Sequence, residues 1–129
     1  MINAATNTIG NINIAGQVIG NAGTTTDIIA SGVLTVDGAA NNNNGSMTLN
    51  GNTVNLASVS NAGAFANMTV SSLTASSGVV HISGDVTNYD GTTTIWAKDV
   101  NIDGVEYAPD TAIFVPIFSK PIYLFNVSN

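Results

Sequence analysis

The stretch Val100-Asn101-Ile102-Asp103-Gly104 alternates apolar and polar residues and ends in a glycine. Because successive side chains of a β-strand point to opposite faces, this pattern predicts a short strand followed by a turn. The same phrase starts at residues 12, 34, 47 and 80, and looser versions lie at Val54-Asn55-Leu56 and Met68-Thr69-Val70. A strand repeated in this way is typical of a structural scaffold.

Each full copy of the phrase ends in a glycine, which tolerates the backbone conformations that tight turns require. In Asp37-Gly38 and Asn50-Gly51 the preceding residue strengthens the prediction of a turn. Asn50-Gly51 suits a hairpin, and it suits equally well the corner of a β-solenoid whose successive strands stack in parallel. The predicted turn glycines are Gly16, Gly38, Gly51, Gly84 and Gly104.

The spacing of the copies favours an irregular β-fold. Starts at 12, 34, 47, 80 and 100 are loosely compatible with multiples of ten to twelve residues, which disfavours a strict hexapeptide or nonapeptide solenoid. Helices are disfavoured because Gly, Asn and Thr have low helix propensity and no apolar stripe emerges. We expect an all-β, β-helix or β-solenoid-like chain that forms an intertwined or side-by-side homotrimer.

The composition excludes several classes of partner. Charged residues make up 8% of the chain, against roughly 25% in ordinary globular proteins, so neutral polar residues must keep the protein soluble. Two basic residues cannot form a nucleic-acid surface or a basic membrane-binding face. With no cysteine there is no disulfide framework or thiolate metal site. The run Asn41–Asn44 is expected to be an exposed loop, with an asparagine ladder stacked along a fibre axis as the alternative.

The residues needed for catalysis are scarce. One histidine, no cysteine and no G-x-S-x-G motif leave no nucleophile–base pair, so no enzymatic activity, cofactor or metal is expected. His81 is expected to face solvent, although three copies on a threefold axis could bind a metal. Asp85–Gly91 has oxygen ligands at alternate positions, as a calcium loop has, but turn chemistry explains the same residues. Trp96 is expected in the core or on a strand face rather than as a platform for sugars.

The character of the sequence changes at Val105. The last 25 residues hold five of the eight aromatic residues and all three prolines. We therefore predict a β-helical body over residues 1–104 and a capping or docking segment over 105–129. This segment either folds back over the open end of the β-stack or adds strands to a partner. The candidate partner-docking residues are Phe114, Phe118, Tyr123, Leu124 and Phe125.

The sequence contains no expected export or membrane-spanning segment. Residues 1–6 show neither a basic region nor a continuous apolar core, so we expect no signal peptide. The apolar stretch from Ile113 to Val127 is interrupted by Ser119, Lys120 and two prolines and is too short to cross a bilayer as a helix. We therefore expect no transmembrane segment.

At residues 47–56 and 80–86 the chain resembles the β-helical stalks of bacteriophage tail spikes, tail fibres and baseplate central spikes. The resemblance extends over roughly residues 9–104, and the repeats are also similar to those of secreted bacterial β-helix adhesins. The resemblance to phage spikes implies an intertwined homotrimer in which no single chain buries its own apolar face. The chain departs from piercing spike tips, which carry a paired-histidine metal site, because His81 is its one histidine.

These observations predict a non-enzymatic structural virion protein: a spike, fibre or decoration protein acting in attachment or assembly. Its expected partners are copies of itself, other virion proteins bound through residues 105–129, and a host-surface glycan. Virion proteins leave the cell by lysis and need no export signal. The alternative is a bacterial adhesin or a filament subunit at the cell surface, and a weaker third hypothesis is a small jelly roll or sandwich that binds carbohydrate.

Overall fold

The structure, a computed structural model, describes residues 5–6, 10–72, 78–104, 106–107 and 113–114, and the side chains of 10–72 and 78–104. These residues form strands and no helix, and the strand pairings are parallel. The chain winds as a β-solenoid of about 4 turns, which confirms the predicted all-β, solenoid-like fold. The strands are β1 Ala5–Thr6, β2 Ile12–Ile14, β3 Val18–Gly20, β4 Thr25–Ile29, β5 Val33–Asn43, β6 Ser46–Gly51, β7 Thr53–Ala62, β8 Asn67–Ser72, β9 Val79–Ile82, β10 Val86–Tyr89, β11 Thr92–Trp96, β12 Asp99–Ile102, β13 Glu106–Tyr107 and β14 Ile113–Phe114.

The solenoid has two sheets, and each coil adds a rung to both. We number the coils 1 (residues 12–29), 2 (33–51), 3 (53–72) and 4 (79–96), with β12 to β14 starting a fifth. Sheet A has the order β1-β4-β6-β8-β11-β14. In sheet B, β2 and β3 pair with β5, β5 pairs with β7, and β7 pairs with β9 and β10, which pair in turn with β12 and β13. The chain therefore passes from one sheet to the other between β5 and β6, between β6 and β7, and at the equivalent places in the other coils.

The strand register explains the repeated phrase. Its copies at 12, 34, 80 and 100 stack in one column of sheet B, and the looser copy at Val54 occupies the rung between 34 and 80. The copy at Met47 belongs to sheet A, where it pairs with Met68. Asn50-Gly51 is consequently a solenoid corner and not a hairpin. The uneven spacing arises because copies from two sheets were read as one series.

Alternation of side chains forms the core. Most apolar residues of the strands face inward, and those that do so in coils 2 to 4 are almost completely buried, whereas Ile19 and Tyr89 are exposed on the outer surface. Four apolar residues in the first and last rungs of sheet B are only half-buried, since they have a neighbouring coil on one side. The described residues of one chain thus enclose an apolar core between their two sheets. The core cluster consists of Val18, Ile28, Ala30, Leu34, Val36, Ala40, Met47, Leu49, Val54, Leu56, Val59, Met68, Val70, Val80, Ile82, Val86, Ile95 and Ala97.

A ladder of asparagines also runs inside the solenoid. Asn42, Asn61 and Asn88 occupy successive rungs and are each 0% exposed. Asn42 Nδ2 donates to Asn61 Oδ1 at 2.8 Å, and Asn61 Nδ2 donates to Asn88 Oδ1 at 2.9 Å. The expectation of an exposed loop over Asn41–Asn44 was therefore wrong, because Asn41 to Asn43 belong to β5. The ladder alternative is closer, although this ladder forms between coils of one chain.

The corners after Asn42 and Asn88 use the same hydrogen bond. Asn42 Nδ2 donates to the carbonyl oxygen of Gly45 at 2.8 Å, and Asn88 Nδ2 donates to that of Gly91 at 3.0 Å. Asn44 and Asp90, two residues after these asparagines, have positive φ values of 55° and 63°. Asparagine and aspartate adopt this conformation more readily than most residues, which explains their place at the corners.

The ladder ends differently in coils 1 and 4. In coil 4, Thr93 Oγ1 donates to Asn88 Oδ1 at 2.7 Å. In coil 1 the ladder position is Gly20, so no carboxamide lies beside Thr26. Thr26 Oγ1 and Asn42 Oδ1 are both buried and have no hydrogen-bond partner among the described residues. This end of the ladder is one side chain short.

Candidate functional surface

A column of polar side chains runs along the outer face of sheet B. The strand register aligns Asn13, Thr35, Asn55, His81 and Asn101, one from each rung. All five are exposed or half-exposed, because the apolar residues on either side of each one point into the core. Neighbouring members of the column are about 4.8 Å apart, the spacing of paired strands. The column therefore presents amide, hydroxyl and imidazole groups in a regular row.

Coil 3 interrupts this face with a groove. Coil 2 has Asp37-Gly38 between the two halves of its sheet B rung, and coil 4 has Ser83-Gly84, whereas coil 3 has Ala57 alone. The pairing of β5 with β7 accordingly shifts register between Val36 and Ala39. The missing residue leaves a groove of about 210 Å³ lined by Thr35, Val36, Asp37, Asn55, Leu56, Ala57, His81 and Ser83.

The groove is lined mainly by polar side chains. Asp37 is exposed and Asn55 and His81 are half-exposed, whereas Val36 and Leu56 are buried in the core, which leaves Ala57 as the half-exposed apolar residue of the lining. Asp37 contributes the one carboxylate of the lining, and no lysine or arginine is present in it. The groove therefore offers hydrogen-bonding groups and little charge. The sequence signal for it is the looser copy Val54-Asn55-Leu56, which lacks the terminal glycine of the full phrase.

His81 faces solvent, as predicted, and lies at hydrogen-bond distance from an acidic side chain of the next coil. Its Nε2 lies 2.8 Å from Asp103 Oδ2, and the two side chains are 41% and 61% exposed. Within the described residues, no group of three or more His, Asp or Glu side chains is placed to hold a metal. A histidine ring in a threefold assembly remains a separate hypothesis.

The calcium-loop alternative for Asp85–Gly91 does not fit the structure. Val86–Tyr89 is strand β10, whose alternate side chains are displaced along the strand instead of converging around a centre. Asn88 points into the core and belongs to the ladder. Trp96 lies at the end of β11, half-buried in register with Ser71, which agrees with the prediction of a strand-face residue.

The predicted turn glycines lie at close backbone approaches, although not all are in turns. Gly38 is inside β5 and Gly51 ends β6. None of the five has the positive φ expected of a turn glycine. Gly38 donates to the Gly16 carbonyl at 3.1 Å, and Gly104 donates to that of Gly84 at 3.1 Å. A Cβ at Gly38 would lie 2.7 Å from the Gly16 carbonyl oxygen, and one at Gly84 would lie 2.5 Å from the Ala57 carbonyl oxygen, so these two glycines are required for space between coils. A Cβ at Gly16 would meet no atom within 4 Å.

The candidate docking residues lie mostly outside the described part of the chain. Phe114 belongs to β14, which extends sheet A by pairing with β11. Phe118, Tyr123, Leu124 and Phe125 fall outside the described residues. Strand pairing continues past residue 104, since Glu106 pairs with Val86 and Ile113 pairs with Thr93. The predicted boundary near 105 stays a prediction.

Comparison with known proteins returned no match to a protein-family model, to a curated protein or to a solved structure. In the described ranges, no helix is long and apolar enough to cross a membrane.

Proposed function

We propose that this chain is a non-enzymatic structural protein of a virion, a spike, fibre or decoration protein that acts in attachment or assembly. The observation that supports this proposal is the continuous parallel stacking of coils along one axis. Each rung of a parallel sheet adds about 4.8 Å, so stacked coils build a rod whose length grows with the number of coils.

The interior of the rod favours stiffness. Consecutive coils share strand pairings in both sheets, and the buried asparagines add hydrogen bonds between coils 2, 3 and 4. Buried hydrogen bonds of this kind restrain the coils that they join, although Asn42 Oδ1 at the coil 1 end has no partner among the described residues. A stiff rod suits a protein that must project from a particle and bear load.

The outer faces favour contact with copies of the same chain. In β4, β6, β8 and β11 of sheet A, the outward side chains are mainly Thr, Ser and Asn. Asp27 is the one charged residue in these four strands. Neutral polar faces can pack together without burying unpaired charge. This surface supports a side-by-side homotrimer, with the C-terminal segment joining the trimer to other virion proteins.

A second candidate is a bacterial surface adhesin or a subunit of an extracellular filament. The observation that favours it is the self-contained core, since one chain buries its apolar residues without a partner. The half-buried Ile12, Ile14, Val100 and Ile102 lie at the two ends of sheet B. Copies joined head to tail would cover both pairs and continue the parallel ladder, which would produce an open filament.

Light scattering coupled to size-exclusion chromatography distinguishes these functions in the full chain. A discrete trimer supports the virion protein, open-ended polymers support the filament, and a compact monomer at micromolar concentration contradicts both. Deletion of residues 115–129, which keeps all described strands, then tests the tail. Unchanged oligomer size with lost attachment to a larger particle supports docking, whereas loss of folding supports a cap.

A further inference from the structure

We propose that the groove at coil 3 is a binding site for a single neutral sugar residue of a glycan. This inference rests on the proposed attachment function and names the site and the class of ligand. The groove volume of about 210 Å³ lies below the roughly 300–1,000 Å³ of drug-sized pockets. A space of this size takes one small ring and not a larger cofactor or a peptide.

The lining offers both kinds of contact that a sugar ring makes. The half-exposed Ala57 supplies an apolar contact for the C–H groups of a ring, whereas the Leu56 side chain is 3% exposed and belongs to the core. The Asp37 carboxylate and the Asn55 carboxamide line the same groove, and both can bind pairs of hydroxyl groups. The hydroxyls of Thr35 and Ser83 add groups that both donate and accept hydrogen bonds.

The contact between His81 and Asp103 helps to preorganise the site. His81 Nε2 lies 2.8 Å from Asp103 Oδ2, a hydrogen-bond distance that restrains the ring and leaves Nδ1 outside this contact. A restrained side chain loses less conformational entropy when a ligand binds. Asp103 lies one coil beyond the groove, so the groove and the pair depend on the same stacking of coils.

Charge selects against acidic sugars. The lining carries one carboxylate and no lysine or arginine, and the whole chain has a formal net charge of −6. An anionic ligand would meet the Asp37 carboxylate with no lysine or arginine to offset it. The groove therefore favours neutral sugars over uronic acids and phosphorylated sugars.

The test is an amide chemical-shift titration of the full chain with methyl α-glucoside, methyl β-galactoside, methyl α-mannoside and methyl glucuronide. We expect at least one neutral glycoside to bind with a Kd in the millimolar range, with shifts concentrated in β5, β7 and β9, and the glucuronide to bind at least tenfold more weakly. Ala57→Leu fills the groove from a half-exposed position and should raise the Kd at least tenfold. Asn55→Ala should raise it severalfold.

Asn13→Ala is the matched control, because Asn13 lies in the same column as Asn55 but outside the groove. It should change the Kd less than twofold. The inference is overturned if no neutral glycoside shifts the groove amides, if Ala57→Leu leaves binding unchanged, or if the glucuronide binds more tightly. A trimer that attaches to its particle but fails this titration would refute the sugar site and leave the proposed function standing.

Discussion

Replacement of Asn61 by alanine should destabilise the solenoid more than any single change on its outer faces. Asn61 is the centre of the ladder and is 0% exposed. Its carboxamide accepts from Asn42 Nδ2 at 2.8 Å, donates to Asn88 Oδ1 at 2.9 Å and donates to the Thr92 carbonyl oxygen at 2.9 Å. The substitution removes all three hydrogen bonds.

The neighbours limit the size of the effect. Asn42 Nδ2 keeps its hydrogen bond to Gly45, and Asn88 Oδ1 keeps the one from Thr93, so neither group is left without a partner. With about 1 kcal/mol for each hydrogen bond lost, the free energy of unfolding should fall by about 3 kcal/mol. Small domains have total stabilities of roughly 5–15 kcal/mol, so this loss is large.

Urea unfolding followed by circular dichroism measures the change through the transition midpoint. Asn55→Ala is the matched control, since Asn55 lies on the same strand but faces outward. A surface change of this kind should alter stability by about 0.5 kcal/mol or less. If Asn61→Ala costs less than about 1 kcal/mol, or if the two variants lose equal stability, the ladder does not stabilise the fold as argued.

Two glycine substitutions test the coil 1 end of the ladder and the contacts between coils. Gly20→Asn should raise the free energy of unfolding by about 1–2 kcal/mol, because the new carboxamide can donate to Asn42 Oδ1 and accept from Thr26 Oγ1. The Asn42 amide must shift to make room, since a Cβ at Gly20 would lie 2.7 Å from its Oδ1. A lower urea midpoint for this variant would show that the position cannot hold the side chain. Gly38→Ala should lower it by about 1–3 kcal/mol, because its Cβ would lie 2.7 Å from the Gly16 carbonyl. The matched controls are Gly16→Asn for the first variant and Gly16→Ala for the second, because a Cβ at Gly16 would have no atom within 4 Å. If a control changes stability as much as its partner variant does, the argument is contradicted.

The fold class follows from the sequence because alternation survives in every coil. In Val80-His81-Ile82 the two apolar residues are buried and the histidine is half-exposed, as a period of two requires. The prediction that His81 faces solvent was correct for this reason. What a local pattern cannot show is which strand lies beside which, and so the Met47 copy was placed in the same series as four copies that belong to the other sheet.

The ladder escaped prediction for a related reason. Asn42 looks like a loop residue, because asparagine is common in turns and a run of four has low complexity. Its buried amide has partners at Gly45 in its own corner and at Asn61, which lies 19 residues away in the next coil. Likewise, Gly38 resembles a turn glycine until the Gly16 backbone of the preceding coil is seen against it. In both cases the deciding neighbour is one coil away.

Coil 3 departs from coils 2 and 4 at two places. It lacks one residue at Ala57, where the groove forms, and its corner holds two more residues between Asn61 and Asn67 than the corresponding corners of coils 2 and 4. That longer corner carries Phe65, which is 85% exposed. Each departure forgoes contacts that a regular coil would keep, yet the ladder passes through coil 3 intact at Asn61. The buried ladder thus allows the outer surface to vary without changing the axis of the rod. In a repeat protein whose stability resides in stacking, the coil that differs on its surface is the place to expect recognition.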